Sequence, residues 1–320
     1  LWAKTIADCG GGGIGVQFAF RGVMGVCCSV LPSITYHQIT LAMSSFANDP
    51  QFRRLLSDRT DVDLPQLMLE LAADAYPRLD RSACLMELDR LGADCRRRLQ
   101  AMPRASTRQR LQEISRQLYE VEGFRGNATD YYDPDNSYLN RVLERRTGIP
   151  ISLGIVYLTV AARAGIAMHG TQTPGHFMIG CAEGDEPLFV DPFNGGRIIR
   201  EEDIAPHLQS MMGKELVLAD NCLRPAGVQY IMLRVLQNLK HVLTEREAWS
   251  ALLKVQRRLT AMFPIVPEER RDHGLVALRA GQPREAYTSL ELYAKLCGGE
   301  LDAETQNSLK LARRMVAEMN

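Results

Sequence analysis

Pro174-Gly175-His176-Phe177 and Asp191-Pro192-Phe193-Asn194-Gly195-Gly196 place a histidine and an aspartate fifteen positions apart, each framed by proline and glycine. An aspartate that accepts from one imidazole nitrogen fixes the tautomer and leaves the other nitrogen free to act on a nucleophile. Between them Met178-Ile179-Gly180 and Leu188-Phe189-Val190 read as strands, separated by turn-forming Glu183-Gly184-Asp185-Glu186-Pro187. An antiparallel hairpin of this kind brings His176, at the start of one strand, beside Asp191, at the end of the next. A lone histidine is more often structural, but the pairing with an aspartate and the glycine framing favour a site.

A thiol nucleophile for such a pair belongs at the N-terminus of a buried helix, where amide groups and the helix dipole stabilise the thiolate. The turn in that position reads Gly148-Ile149-Pro150-Ile151-Ser152-Leu153, with Pro150 or Ser152 where the cysteine would stand. Ser152 is open to two readings, a nucleophile activated by His176 or an N-cap of its own helix, and its residue type favours the cap. The eight cysteines do not fill the gap. Strand alternation points Cys181 away from His176, and Cys222 on a linker is the spare candidate. Asn136, Asn140, Tyr131 and Tyr132, on the segment before the helix, are expected to line the cleft. Asn136 and Asn140 can donate to an oxyanion or satisfy buried backbone groups, the second role being favoured for Asn140. Tyr131 and Tyr132 read as packing residues with hydrogen-bonded hydroxyls.

The elements that must position these groups follow from period and punctuation. Leu64, Leu67, Met68, Leu71, Ala72 and Ala75 recur at helical spacing behind an Asp63 cap, and further helical patterns run over 82–99 and 107–120. At Gly123 the texture becomes polar, aromatic and turn-rich; a short helix over 137–146 follows, then a long apolar helix over 152–164 that ends at Gly165. From Gln229 onward the chain is helical, with breaks near 264–267, 281–283 and 298–299. Residues 249–263 and 285–297 echo each other, and Gly274, Ala277, Gly281 and Ala286 approach the small-residue spacing of tetratricopeptide units. The expected division is a leader over 1–42, flexible or non-native, a helical region over 43–122, a core over 123–224 and tetratricopeptide-like hairpins over 225–320.

Gly126-Asn127, Asp130-Tyr131-Tyr132, Asn136-Ser137, Leu139-Asn140, Arg145-Arg146, Gly148 to Leu153, Tyr157, Arg163, Gly165 and the two His176 and Asp191 motifs occur in one order. Together they make residues 60–320 resemble the SirB-type transglutaminase-like family. The resemblance implies an α+β protein: a helical N-terminal bundle, a papain-like or transglutaminase-like core with a small antiparallel sheet, and a tetratricopeptide-like tail. It also implies that His176 and Asp191 stand at the catalytic His and Asp positions of the wider superfamily. The missing cysteine argues against thiol-dependent transglutaminase or protease activity.

Composition bounds the partners. Thirty-eight basic residues balance thirty-eight acidic ones, so no net field draws the chain to nucleic acid or an anionic membrane. No Cys or His cluster has zinc-site spacing, and neither a metal nor another cofactor is expected. Scattered cysteines fit free thiols in a cytoplasmic protein. The expected function is a transglutaminase-like scaffold, a pseudoenzyme binding a protein or peptide through its cleft or C-terminal helices, with a regulatory effect through that partner. The alternative is a hydrolase or acyltransferase using Ser152, His176 and Asp191.

Overall fold

The computed structural model describes residues 46–182, 187–213 and 222–319. The leader over 1–42 and the turn at Glu183–Glu186 lie outside the described residues. By contact the chain divides into two units. Residues 46–61, with helix α1 (Pro50–Leu56), group with the C-terminal helices rather than with the helices that follow them in sequence.

The unit over 62–235 begins with α2 (Leu64–Ala75), α3 (Arg81–Gln100) and α4 (Thr107–Ser115). Asp63 caps α2 as expected, accepting from the Gln66 amide at 2.9 Å. The third expected helix is interrupted: after Ser115 it widens into a π turn over Arg116–Val121. Strand β1 (Arg125–Gly126) then runs parallel to β2 (Thr147–Gly148), with helix α5 (Leu139–Arg145) between them. Helix α6 (Pro150–Ala164) is apolar on nearly every face and buried on nearly every face, as a central helix must be. It ends at Gly165, which takes the left-handed conformation at φ 87°.

Around α6 lies a five-stranded antiparallel sheet of order β6-β5-β4-β3-β7. Its strands are β3 (His169–Thr171), β4 (Ile179–Cys181), β5 (Leu188–Asp191), β6 (Arg197–Arg200) and β7 (Pro225–Ala226). The hairpin of the sequence reading is present, Ile179 facing Val190 and Cys181 facing Leu188. Helix α7 (Glu201–Met212) follows β6 and packs through Ile204 and Leu208 onto Met178, Phe189 and Ile199. Phe177 fixes the hairpin against the central helix. A Cβ at Gly154 of α6 or at Gly170 of β3 would come within 2.7 Å or 2.5 Å of its ring, so both positions admit only glycine without movement.

The second unit comprises α1 and the helices α8 (Val228–Glu245, from residue 236), α9 (Trp249–Met262), α10 (Pro267–Arg279), α11 (Pro283–Leu296) and α12 (Ala303–Glu318). The expected breaks are present, with one more at 246–248 where Glu247 adopts φ 52°. Close approach of α10 and α11 rests on Gly274, where a Cβ would meet the Leu290 side chain at 2.4 Å. Arg258 of α9 is fully buried, ion-paired to Asp49 at 2.7 Å and set over the rings of Phe46 and Phe52 at 4.9 and 4.8 Å. That contact attaches the 46–56 segment to this unit.

Candidate functional site

His176 and Asp191 meet. His176 Nε2 lies 2.8 Å from Asp191 Oδ1, with side-chain exposures of 6% and 0%. His176 sits in the bend before β4, three residues short of the strand at which the sequence reading placed it. The bend is held from within, since the Thr173 hydroxyl donates to the His176 carbonyl at 2.6 Å. Asp191 closes β5, and its carboxylate also accepts from the amides of Phe193 and Asn194 and from Asn194 Nδ2 at 3.0, 3.2 and 2.7 Å. His207 of α7 supplies another donor, its Nε2 lying 2.7 Å from Asp191 Oδ2.

Burial alone pushes the Asp191 carboxyl up, but the donors from His176, Asn194 and His207 outweigh it and hold the group well below the usual carboxylate range. An ionised carboxylate only accepts, so each Nε2 carries the proton in a neutral ring and Nδ1 is the acceptor. Among the described residues nothing hydrogen-bonds the Nδ1 of His176.

The turn after Asp191 is anchored by α4 and the π turn. Tyr119 donates its hydroxyl to the Pro192 carbonyl at 2.7 Å, and Ser115 donates to the Gly196 carbonyl at 2.8 Å. Gly195 and Gly196 have φ of 67° and 69°, and a Cβ at Gly196 would strike Ser115 Oγ at 2.5 Å. Asn194, Tyr119, Ser115 and His207 were all missed in the sequence. Only Asn194, inside the Asp-Pro-Phe-Asn-Gly-Gly motif, carried a signal, as a residue type that bonds its own turn.

Ser152 is not the cap of α6. Ile149 holds that place and Pro150 the first turn, while Ser152 Oγ accepts from the Ile149 amide at 3.1 Å and donates to the Asn136 carbonyl at 2.5 Å. The residue is 1% exposed. Gly154 faces Phe177 and Pro192; two residues earlier is about 200° around a helix, so Ser152 lies on the opposite side. The residues one turn before Gly154 on its own face are Pro150 and Ile151.

The polar loop is built to hold itself. Asn136 is fully buried; its Nδ2 donates to the carbonyls of Asp130 and Tyr131 at 2.8 and 3.1 Å, and its Oδ1 accepts from Asn127 at 3.0 Å. Asn140, for which a structural role was favoured, leaves its buried Oδ1 without a partner. Tyr131 and Tyr132 stand out more than a packing role requires, 37% and 58% exposed, stacked edge-on at 5.4 Å. Tyr131 and His176 each meet the Phe193 ring edge-on, at 5.9 and 6.3 Å. An open cleft of about 550 Å³ is lined by Asn127, Thr129, Asp130, Arg145 and Thr147, and His176 is not among its walls.

Two described thiols of this unit are held in the neutral form. Burial pushes the Cys95 thiol up to about 12 and raises Cys84 as well. Cys181 and Cys222 are buried and form no disulfide. Among the described residues no group of three His, Cys, Asp or Glu is placed to hold a metal ion.

Comparison with known proteins agrees with this arrangement. Residues 82–237 match the family model described as the transglutaminase-like superfamily, and residues 239–315 match a tetratricopeptide repeat model. A UPF0162 protein of Xylella fastidiosa is 38% identical over 187 residues, covering 57% of this chain and 66% of the relative. The chain thus spans just under two thirds of that relative's length. A UPF0162 protein of Vibrio cholerae is 27% identical over 196 residues, 61% of this chain and 72% of the relative. F-box only protein 21 of Mus musculus is 42% identical over 84 residues, 26% of this chain and 13% of the relative. No solved structure matches significantly. The chain is an α+β protein that carries a transglutaminase-like domain followed by tetratricopeptide-like helices.

Proposed function

We propose that this protein is a transglutaminase-like scaffold of SirB type that binds a protein or peptide partner and performs no thiol chemistry. One observation carries the reading: the face of α6 directed at Phe177 and Pro192 presents Gly154, with Pro150 and Ile151 one turn earlier, and none of these side chains is a nucleophile. Among the described residues no hydroxyl or thiol hydrogen-bonds His176 Nδ1, and a base without a nucleophile in reach does not open an acyl transfer. With its Nε2 hydrogen on Asp191, His176 instead offers Nδ1 to a partner group. The exposed rings of Tyr131 and Tyr132 supply apolar contact nearby, of a kind enriched in recognition surfaces. Tetratricopeptide-like helices add a second surface of the sort that takes peptides, and any regulatory effect passes through the bound partner.

A cytoplasmic setting belongs to the same proposal. The described cysteines form no disulfide, as in a reducing compartment, and no described helix is long and apolar enough to cross a membrane.

Two measurements test the reading. Panning the full chain against a displayed random-peptide library is expected to enrich sequences whose binding weakens about tenfold in His176→Ala or Tyr132→Ala, an effect of the size of one lost hydrogen bond to a site group. Mass spectrometry of glutamine- and lysine-bearing peptides incubated with the chain is expected to show no change in mass. Turnover that disappears in a folded His176→Ala variant overturns the proposal.

The alternative, Ser152 as nucleophile with His176 as base and Asp191 as orienting group, has the geometry against it. The Ser152 hydroxyl is engaged with Asn136 and Ile149 on the far side of α6.

A further inference from the structure

Asp191 serves two imidazoles carried by different elements. His176 comes from the bend before β4 and His207 from the second turn of α7, and each Nε2 reaches a different oxygen of the carboxylate, at 2.8 and 2.7 Å. The His207 side chain is only 10% exposed. Its place is set by packing: Ile204 and Leu208, on the same side of α7, are fully buried against the sheet.

The other acceptor positions of Asp191 are taken by the amides of Phe193 and Asn194 and by Asn194 Nδ2. A carboxylate has about four lone-pair sites, so these donors saturate it. No lysine or arginine pairs with Asp191 among the described residues. Every donor that draws on its charge therefore leaves less for the others. With His207 on Oδ2, the carboxylate plane is fixed and the charge offered to His176 is reduced.

We propose that His207 is a positioning residue of the His176–Asp191 site: donating from Nε2 to the second carboxylate oxygen, it orients Asp191 and sets how strongly Asp191 supports a proton on His176. The proposal concerns the free protein and stands or falls independently of whether a peptide binds. Among the described residues His176 touches Asp191 from β5, with His207 of α7 behind it, and the Phe193 ring, while Arg234 of α8 brings a cation to the same bend through the Thr173 carbonyl at 3.1 Å. The phenol of Tyr119, from the π turn, lies near Asp191 and stays neutral, since burial raises it well above its ordinary value.

The test is long-range proton–nitrogen NMR of the imidazole rings in the full chain, with ¹⁵N-labelled histidine, followed through a pH titration. At high pH both His176 and His207 are expected as the Nε2–H tautomer. In His207→Leu the carboxylate has one donor fewer, so His176 is expected to hold its proton more tightly. Its midpoint should rise by about half to one pH unit, the size of one hydrogen bond to a charged group. His207→Gln keeps an N–H donor and should return most of that shift. A purely structural His207 would lower the melting temperature and leave the His176 midpoint in place. An unshifted midpoint in folded His207→Leu overturns the proposal, as does an Nδ1–H tautomer for either ring in the unaltered protein. Should His207→Leu fail to fold, the tautomers of the unaltered protein decide alone.

Discussion

Among the described residues, a histidine–carboxylate network stands in each unit, and how far its valences are filled separates a site from a staple. In the C-terminal unit His273 Nε2 lies 2.7 Å from Glu285 Oε1 and its Nδ1 lies 3.0 Å from the Ser289 hydroxyl. The same glutamate takes two bonds from Arg257, at 2.8 and 2.6 Å. A serine, a histidine and an acid in hydrogen-bond contact look like a catalytic triad. Yet Ser289 is 3% exposed, both imidazole nitrogens are used, and the acid is neutralised by an arginine. That network joins α10 to α11. Among the described residues no lysine or arginine pairs with Asp191, and His176 keeps one nitrogen uncommitted. An open valence beside a surface of exposed aromatic rings is what the proposed partner site rests on; contact among the right residue types is not enough.

Four experiments break or sharpen that contrast. Replacing Asp191 by Ala has the largest expected effect, about 3–5 kcal/mol of stability by urea denaturation, because it strands buried donors that have no alternative acceptor. Glu285→Ala should cost less, about 1–2 kcal/mol, since Arg257 is 43% exposed and can return to water. If the two losses come out equal, the distinction drawn here between the networks fails.

The acid limb gives the third test. Burial raises the Glu285 carboxyl, but Arg257 and His273 outweigh it and bring it down to about 2. A depressed carboxylate stabilises the fold fully above its unfolded value near ~4.3 and loses that contribution as pH falls toward the folded value. Trp249, stacked under Arg279 at 4.8 Å, should therefore report loosening of its unit between about pH 4 and 2 in a Trp2→Phe background. The loss should be on the order of 1 kcal/mol after solvent screening, and it should be absent in Glu285→Gln. The smallest expected effect is none at all: a fluorophosphonate probe should label neither Ser289 nor Ser152. Labelling of Ser289 would turn the staple into a site, and labelling of Ser152 would revive the hydrolase reading.

The sequence made the hairpin visible because strand alternation and flanking glycines are local signals, and from the hairpin followed the meeting of His176 with Asp191. Helix periods and their breaks likewise marked α2, α6 and the C-terminal hairpins. His207 was not legible. It reaches Asp191 from a helix whose pattern says only that Ile204 and Leu208 are buried, and no short-range rule couples a helix residue to a strand end. As a cap Ser152 was misplaced by three positions because Ile149-Pro150 starts the helix earlier than the serine suggested. The loop 127–136 was seen as structured, but that Asn136 spends its side-chain polar atoms on its own loop depends on where that loop folds back. The aromatic exposure of Tyr132 could not be read from residue type, because tyrosine suits both interior and surface.

The hydroxyls of Tyr119 and Ser115 behind the Asp191 turn bear on modularity. Composition changes at Gly123, and a boundary drawn there would look natural for excising the core or grafting it elsewhere. The turn that shapes the site is nevertheless tied to residues upstream of that boundary, at the Pro192 and Gly196 carbonyls. A fragment that starts at 123 would carry every residue of the His176 and Asp191 motifs and lack the supports that hold them. The smallest transplantable piece of this site therefore begins no later than α4.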